Sequence, residues 1–231
     1  EAVWHDGKPV TAHDVVWTFT TLTTKGTPFY AAYYANVENV EALDDKRVKF
    51  TFDMANNLEL PLIIGQLTIL PQHYWEGEGR DFTVTTLEPP LGSGPYKVGK
   101  VDPGRAIEYV RVKDWWAADL PVYKGRFNFD RITYDYYRDQ AVSLEALFAD
   151  EYDYRQEYTA KLWATAYDAP AVKDGRIIKK VIPNKLPQGM QGFVFNMRRP
   201  LFQDRRVRQA LDLAFDFEWS NKQFAYGAYD R

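Results

Sequence analysis

Cysteine is absent from the 231 residues, which excludes a disulfide, a thiolate metal site and a cysteine nucleophile. Histidine occurs three times, at His5, His13 and His73, and no two stand at the i, i+4 spacing that sets two ligands on one helix face. No metal and no cofactor is expected. A Gly-x-Ser-x-Gly elbow is missing, and Gly92-Ser93-Gly94-Pro95 sets a proline where such an elbow needs a helix. Gly77-Glu78-Gly79 lacks the rest of a phosphate-binding loop and places an acid where phosphate would sit. No apolar run approaches the roughly 18 residues of a membrane span, and no secretory signal opens the chain at Glu1. The formal charge of −3, with no long basic run, gives no electrostatic reason to expect nucleic acid.

Aromatic residues are abundant instead: 7 Trp, 16 Tyr and 14 Phe make up 16% of the chain. Such side chains fill cores and also offer a polar handle to a ligand. With 45% hydrophobic and 26% charged residues, the composition is in the ordinary globular range, and 231 residues are enough for one large or two small domains. Strand and helix signals along the chain point to an α/β fold. The acid groups Asp44/Asp45 and Asp150/Glu151/Asp153 leave a peptide- or glycan-acting hydrolase open as a rival reading, although neighbouring acids at turns more often solvate or cap.

Local signals divide the chain into short elements. Thr11 and Asp14 resemble a capping box before the helical stripe Val15, Phe19 and Leu22. Val37–Leu43 and Val48–Phe52 read as a hairpin turned by Asp44, Asp45 and Lys46, because Val48, Phe50 and Phe52 alternate with polar residues. Leu58–Leu70 suits a short buried helix interrupted by Pro61, and another turn of helix starts at Pro71. A second hairpin, Tyr96–Val101 and Ala106–Val112, crosses Asp102-Pro103-Gly104, and Phe129–Tyr137 alternates as a strand. Asp139 caps a helix carrying Ala141, Leu144, Leu147 and Phe148, and Leu162, Trp163, Ala166 and Tyr167 form another helical stripe. Tyr152–Arg155 and Ile177–Ile182 read as strands.

Met190–Leu213 packs three signals together. Gln191–Asn196 is a short aromatic run expected to be a buried strand, Pro200 breaks it, and Asp204 caps a helix. Val207, Ala210, Leu211, Ala214 and Phe217 share one stripe of that helix, with Arg205, Arg206 and Arg208 mostly opposite. Those arginines suit a solvated face with weak ion pairs better than an anion site.

Three ordered blocks carry a family resemblance: Trp4-His5-Asp6-Gly7-Lys8-Pro9-Val10-Thr11-Ala12-His13-Asp14-Val15, then Leu91-Gly92-Ser93-Gly94-Pro95-Tyr96 with Asp114-Trp115-Trp116 behind it, then Asn196 to Leu211 followed by Ala214-Phe215-Asp216. Together they resemble the bacterial extracellular solute-binding proteins of family 5, the peptide, dipeptide and nickel receptors of ABC importers. Phe217 departs from the family, where a basic residue commonly follows the aspartate. Phe217-Glu218-Trp219 and Met190–Asn196 look most like the branch that takes oligopeptides and microcin C-type conjugates.

The resemblance implies an internal fragment of a two-lobed type II periplasmic binding protein with mixed sheets. Residues 1–90 would belong to the small variable lobe, 91–197 to the first main lobe, and 198–231 would begin the second. It implies no catalysis, a peptide or peptide-conjugate ligand, ABC permease subunits as partners, a periplasmic location and a monomer. Tyr154, Arg155, Gln156, Glu157, Met190, Gln191 and Phe193 would line the ligand. Gly92, Gly94, Pro95, Tyr96 and Asn196 would act as hinge positions. Arg155 and Glu157 could meet a peptide's carboxylate and amine, or pair with each other. A further rival reading is a stable folding unit that no longer binds.

Overall fold

A computed structural model describes residues 1–77, 79–187 and 189–231, so Glu78 lies outside the described residues. The chain divides into two compact units, Glu1–Tyr136 and Tyr137–Arg231.

In the first unit, helix α1 (Ala12–Lys25) begins at a complete capping box. The Thr11 backbone N–H donates to Asp14 Oδ2 at 2.8 Å, and the Asp14 N–H donates to Thr11 Oγ1 at 3.4 Å. The buried Asp14 carboxylate does a second task, accepting from the Gln72 N–H at 2.9 Å. One turn on, the buried Thr18 hydroxyl accepts from the Leu70 N–H at 2.9 Å. A polar row on α1 therefore clips the 70–72 segment in place, which is how buried polar groups stay satisfied.

The apolar face of α1 lies on α2 (Pro28–Tyr33) and on the antiparallel hairpin β1 (Val37–Asp44) and β2 (Arg47–Phe52). Phe19, Leu22, Tyr34 and Leu67 form the centre, with Val40, Phe50, Ile63 and Ile64 among those packed around it. Pro61 does not interrupt a longer helix as expected. It stands in the first turn of the short α3 (Leu60–Ile64), where its missing N–H costs nothing. Of the Leu58–Leu70 run only Leu60 and Leu67 are buried leucines. The next helical turn is α4 (Gln72–Trp75).

β3 (Tyr96–Asp102), β4 (Ala106–Arg111) and β5 (Arg131–Asp135) form an antiparallel sheet with β4 in the centre. Its register shifts between Val98 and Val101, and Gly99 sits in that irregularity. A Cβ there would lie 2.8 Å from Val110 Cγ2, so the close approach requires glycine.

The second unit is helical where it is regular: α5 (Gln140–Phe148), α6 (Ala160–Thr165), α7 (Pro170–Lys173), α8 (Pro200–Gln203), α9 (Arg205–Ala214) and α10 (Phe217–Phe224). Asp139 caps α5 through the Val142 N–H at 2.9 Å, and Asp204 caps α9 through the Arg206 N–H at 2.9 Å. Asp216 starts a new helix by accepting from the Trp219 N–H. Phe217 therefore opens α10 instead of extending the stripe of α9. No residue of α8, α9 or α10 is buried.

Three expected strands are absent. Tyr152–Arg155, Ile177–Ile182 and Gln191–Asn196 form no ladder among the described residues. A strand exists by pairing, and local apolar pattern supplies only half of that requirement. Met190 and Phe193 are 90% and 81% exposed, so the run expected to be buried is open to solvent.

Candidate ligand-binding site

Arg155 and Glu157 settle their two options by pairing with each other. Arg155 Nε donates to Glu157 Oε2 at 3.0 Å, and the two side chains are only 8% and 2% exposed. The rest of the guanidinium is occupied from α5: Nη1 donates to Ser143 Oγ at 2.7 Å and Nη2 to Gln140 Oε1 at 2.6 Å. The Tyr152 hydroxyl closes that side by donating to the Ser143 carbonyl at 2.8 Å. On the other side, Glu157 accepts from the Thr159 N–H at 2.9 Å and the Tyr167 hydroxyl at 3.1 Å.

The electrostatics follow from this closure. Burial pushes the Glu157 carboxyl up, but Thr159, Arg155 and Tyr167 outweigh it and hold the group below the usual carboxylate range. Burial acts against the Arg155 charge, and the bonds to Tyr152 and Glu157 more than restore it. The Tyr167 hydroxyl is pushed up to about 12, first by burial and then by the Glu157 carboxylate.

The ion pair anchors an extended segment whose residues alternate. Arg155 and Glu157 point inward, whereas Tyr154 (72% exposed), Gln156 and Tyr158 (79% exposed) point out. Among the described residues, no backbone N–H or C=O of residues 154–158 makes a hydrogen bond. A concavity of about 840 Å³ runs along the segment, bounded also by Trp163, Tyr167 and Lys179. Lys179 is fixed there: its ammonium lies 4.3 Å from the Trp163 ring centroid and donates to the Trp163 carbonyl. The arrangement offers unpaired backbone groups and aromatic surface, with Arg155 and Glu157 neutralising each other and with Asp150, Asp153 and Lys180 also along the wall.

Met190, Gln191 and Phe193 do not line this concavity. Phe193 instead meets Phe215 edge-on at 5.9 Å. Asn196 forms a turn, its Oδ1 accepting from the Arg198 N–H at 3.2 Å and its carbonyl from the Arg199 N–H at 3.0 Å. Gln140, Ser143, Tyr152 and Tyr167 were not among the site residues expected from sequence. No local signal links Ser143 to Arg155 across twelve positions.

In the first unit, Gly92, Gly94, Pro95 and Tyr96 lead into β3 and are held from several directions. The His5 N–H donates to the Gly92 carbonyl and His5 Nε2 to the Gly94 carbonyl, both at 2.8 Å. Ser93 Oγ donates to the Val3 carbonyl at 2.7 Å. The indoles of Trp115 and Trp116 both donate to the Ser93 carbonyl, at 2.9 and 3.0 Å. Pro95 accepts from the Val112 N–H at 2.9 Å, and the Tyr96 hydroxyl donates to the Phe129 carbonyl at 2.8 Å. Ser93 is thus a structural node with its hydroxyl engaged. Ser93 Oγ also accepts from the Trp116 indole at 3.0 Å, and Ser93→Ala, which removes both contacts, is expected to cost about 1 kcal/mol or more. Urea denaturation checks it, and an unchanged midpoint would mean that neither contact of the hydroxyl contributes.

The sequence profile described as "Bacterial extracellular solute-binding proteins, family 5 Middle" matches residues 1–231. The "Probable peptide-binding protein YejA" of Agrobacterium fabrum is 45% identical over all of this chain and 39% of its own length. The "Peptidoglycan-binding protein YepA" of the same organism is 39% identical over all of this chain and 38% of its own. The chain thus spans about two fifths of the length of these curated relatives. The crystal structure of NikZ from Campylobacter jejuni, solved in complex with Ni(L-His), aligns with a TM-score of 0.67 at 19% identity. That alignment covers 96% of this chain and 41% of NikZ, a likeness of fold.

Proposed function

This chain belongs to the bacterial extracellular solute-binding proteins of family 5, and we propose that the protein containing it captures peptides or peptide conjugates in the periplasm and delivers them to ABC permease subunits. Its mixed α/β fold is part of a two-lobed solute-binding protein. In the proposed arrangement, residues 1–90 sit in the small lobe, 91–197 in the first main lobe and 198–231 at the start of the second. Gly92, Gly94, Pro95, Tyr96 and Asn196 take the hinge positions, and Met190, Gln191 and Phe193 add to the ligand surface.

The observation that carries the reading is the unpaired backbone of residues 154–158 beneath exposed Tyr154, Gln156 and Tyr158. A peptide has its own row of N–H and C=O groups, and strand addition satisfies both rows at once. Arg155 and Glu157 support the segment instead of reaching the ligand, because their polar atoms are already bonded to protein. Recognition through main chain and aromatic faces, with Arg155 and Glu157 paired to each other, favours tolerance of peptide sequence over selection of one.

The relative named for peptidoglycan supports a second form of the ligand, a peptide joined to an amino sugar. Tyr154, Tyr158 and Trp163 supply the flat surfaces that a sugar ring needs. The experiment is a calorimetric titration of the full-length protein with a short unmodified peptide library and with muropeptides of matched peptide sequence. Binding in either arm supports capture, and a muropeptide advantage selects the second form. Tyr154→Ala with Gln156→Ala is expected to weaken binding at least about tenfold, the factor that about 1.4 kcal/mol represents. Cleavage of any of these compounds, or equal affinity in the double variant, overturns the reading.

A further inference from the structure

A second concavity, of about 400 Å³, opens in the first unit against the loop that follows β4, and shares no residue with the peptide surface. Its volume falls in the range of roughly 300–1,000 Å³ typical of small-molecule sites. Three rings form its wall: Trp115 and Tyr123 with centroids 5.0 Å apart, and Phe127 at 5.4 Å from Trp115. Phe127 takes its place in a left-handed conformation, φ 58°, which disfavours any residue with a Cβ and so must be held by its surroundings.

The charges around these rings do not balance. Arg111, Lys113 and Arg126 line the concavity, and among the described residues Asp130 is the one acid that does. Asp130 is already committed, accepting from Arg111 Nη2 at 2.6 Å. Lys113 has no ion pair among the described residues. Arg126 only rests over the Phe127 ring at 5.4 Å. Arg111 is held at both ends, its Nη1 donating to the Phe127 carbonyl at 3.4 Å and its Nη2 to Asp130, so the unmatched charge is that of Lys113 and Arg126.

We infer that this concavity is a binding site for a small carboxylate with a flat aromatic body. The ring wall takes the flat body by offset or edge-on contact. The carboxylate meets the excess positive charge of the exposed Lys113 and Arg126. An uncharged aromatic would leave that charge unmet, and inorganic phosphate would leave the rings uncovered.

The test is calorimetry of the full-length protein with benzoate, its neutral analogue benzamide, and inorganic phosphate. Benzoate is expected to bind at least about tenfold more tightly than either control, about 1.4 kcal/mol. Lys113→Gln with Arg126→Gln, both exposed side chains whose replacement leaves the sheet intact, is expected to remove that preference. Trp115→Phe, which keeps a ring in the wall, is expected to retain it. Benzoate and benzamide binding alike, phosphate binding as well as benzoate, no binding by benzoate, or a preference that survives in the Lys113/Arg126 variant would each overturn the site.

Discussion

Replacing Glu157 with alanine is expected to destabilise the unit Tyr137–Arg231 by about 3–5 kcal/mol, the loss typical of removing one partner from a buried ion pair. The loss comes from what remains. Arg155 keeps its charge with 8% of its side chain exposed, and the Thr159 N–H and Tyr167 hydroxyl lose their acceptor. Glu157→Gln retains an acceptor and is expected to cost less, about 1–3 kcal/mol. Replacing both members with apolar residues, Arg155→Met with Glu157→Leu, is expected to recover much of the loss, because no uncompensated charge is left buried. Urea denaturation of the three variants separates these cases, and an alanine variant within about 1 kcal/mol of wild type would deny the pair its structural role.

The same pair sets a pH window. Glu157 is held below its ordinary value of 4.5, so its contribution is complete above that value and is lost as pH falls through the depressed one. Tyr167 is raised from 10.0 to about 12, so its contribution is complete below pH 10 and is lost as pH rises toward 12. Glu157→Ala should flatten the acid limb and shrink the alkaline one.

Phe19→Ala is expected to cost a similar amount, about 3–5 kcal/mol, by a different route. Phe19 stands at the centre of the first unit's core, with its ring 5.7 Å from Tyr34 and 6.1 Å from Phe50. Its removal loses transfer free energy and leaves a cavity between α1 and the β1–β2 hairpin, which are tied together where the Ala12 N–H donates to the Asp45 carbonyl at 2.8 Å. At roughly 2–4 °C per kcal/mol for a chain of this size, thermal denaturation should register a fall of several degrees or more. Phe19→Leu should lose less, since most of the volume stays filled. Equal losses for the two variants would place the cost in ring contacts instead of in the cavity.

Legibility in the sequence follows how far apart the interacting residues are. Helix starts at Thr11, Asp139 and Asp204 depend on a side chain and an N–H two or three positions away, and all three form as expected. Both hairpins are equally local, with turns that bring consecutive strands into register. The strands expected at Tyr152–Arg155, Ile177–Ile182 and Gln191–Asn196 required partners that local pattern could not name. Arg155 and Glu157 were visible as an oppositely charged couple two residues apart. What decided their fate was a shell from Gln140, Ser143 and Tyr167, distant in sequence and without a motif. The imbalance of charge around Trp115 was hidden for the same reason, because it needs a turn that folds residues 123–127 back over the ring.

The bare extended runs of the second unit differ in how they resist self-association. Ile177–Ile182 carries Lys179 and Lys180 within it, and such charges act as gatekeepers that discourage stacking of like copies. Gly189–Asn196 contains no charged residue, and its Met190, Phe193 and Val194 are almost fully exposed. A short, uncharged, aromatic-rich segment with free edges is the template on which cross-β ladders start. The stretch that carries the family's strand-to-helix signature is therefore also one from which this polypeptide can aggregate, so covering Gly189–Asn196 would lengthen its shelf life in concentrated solution.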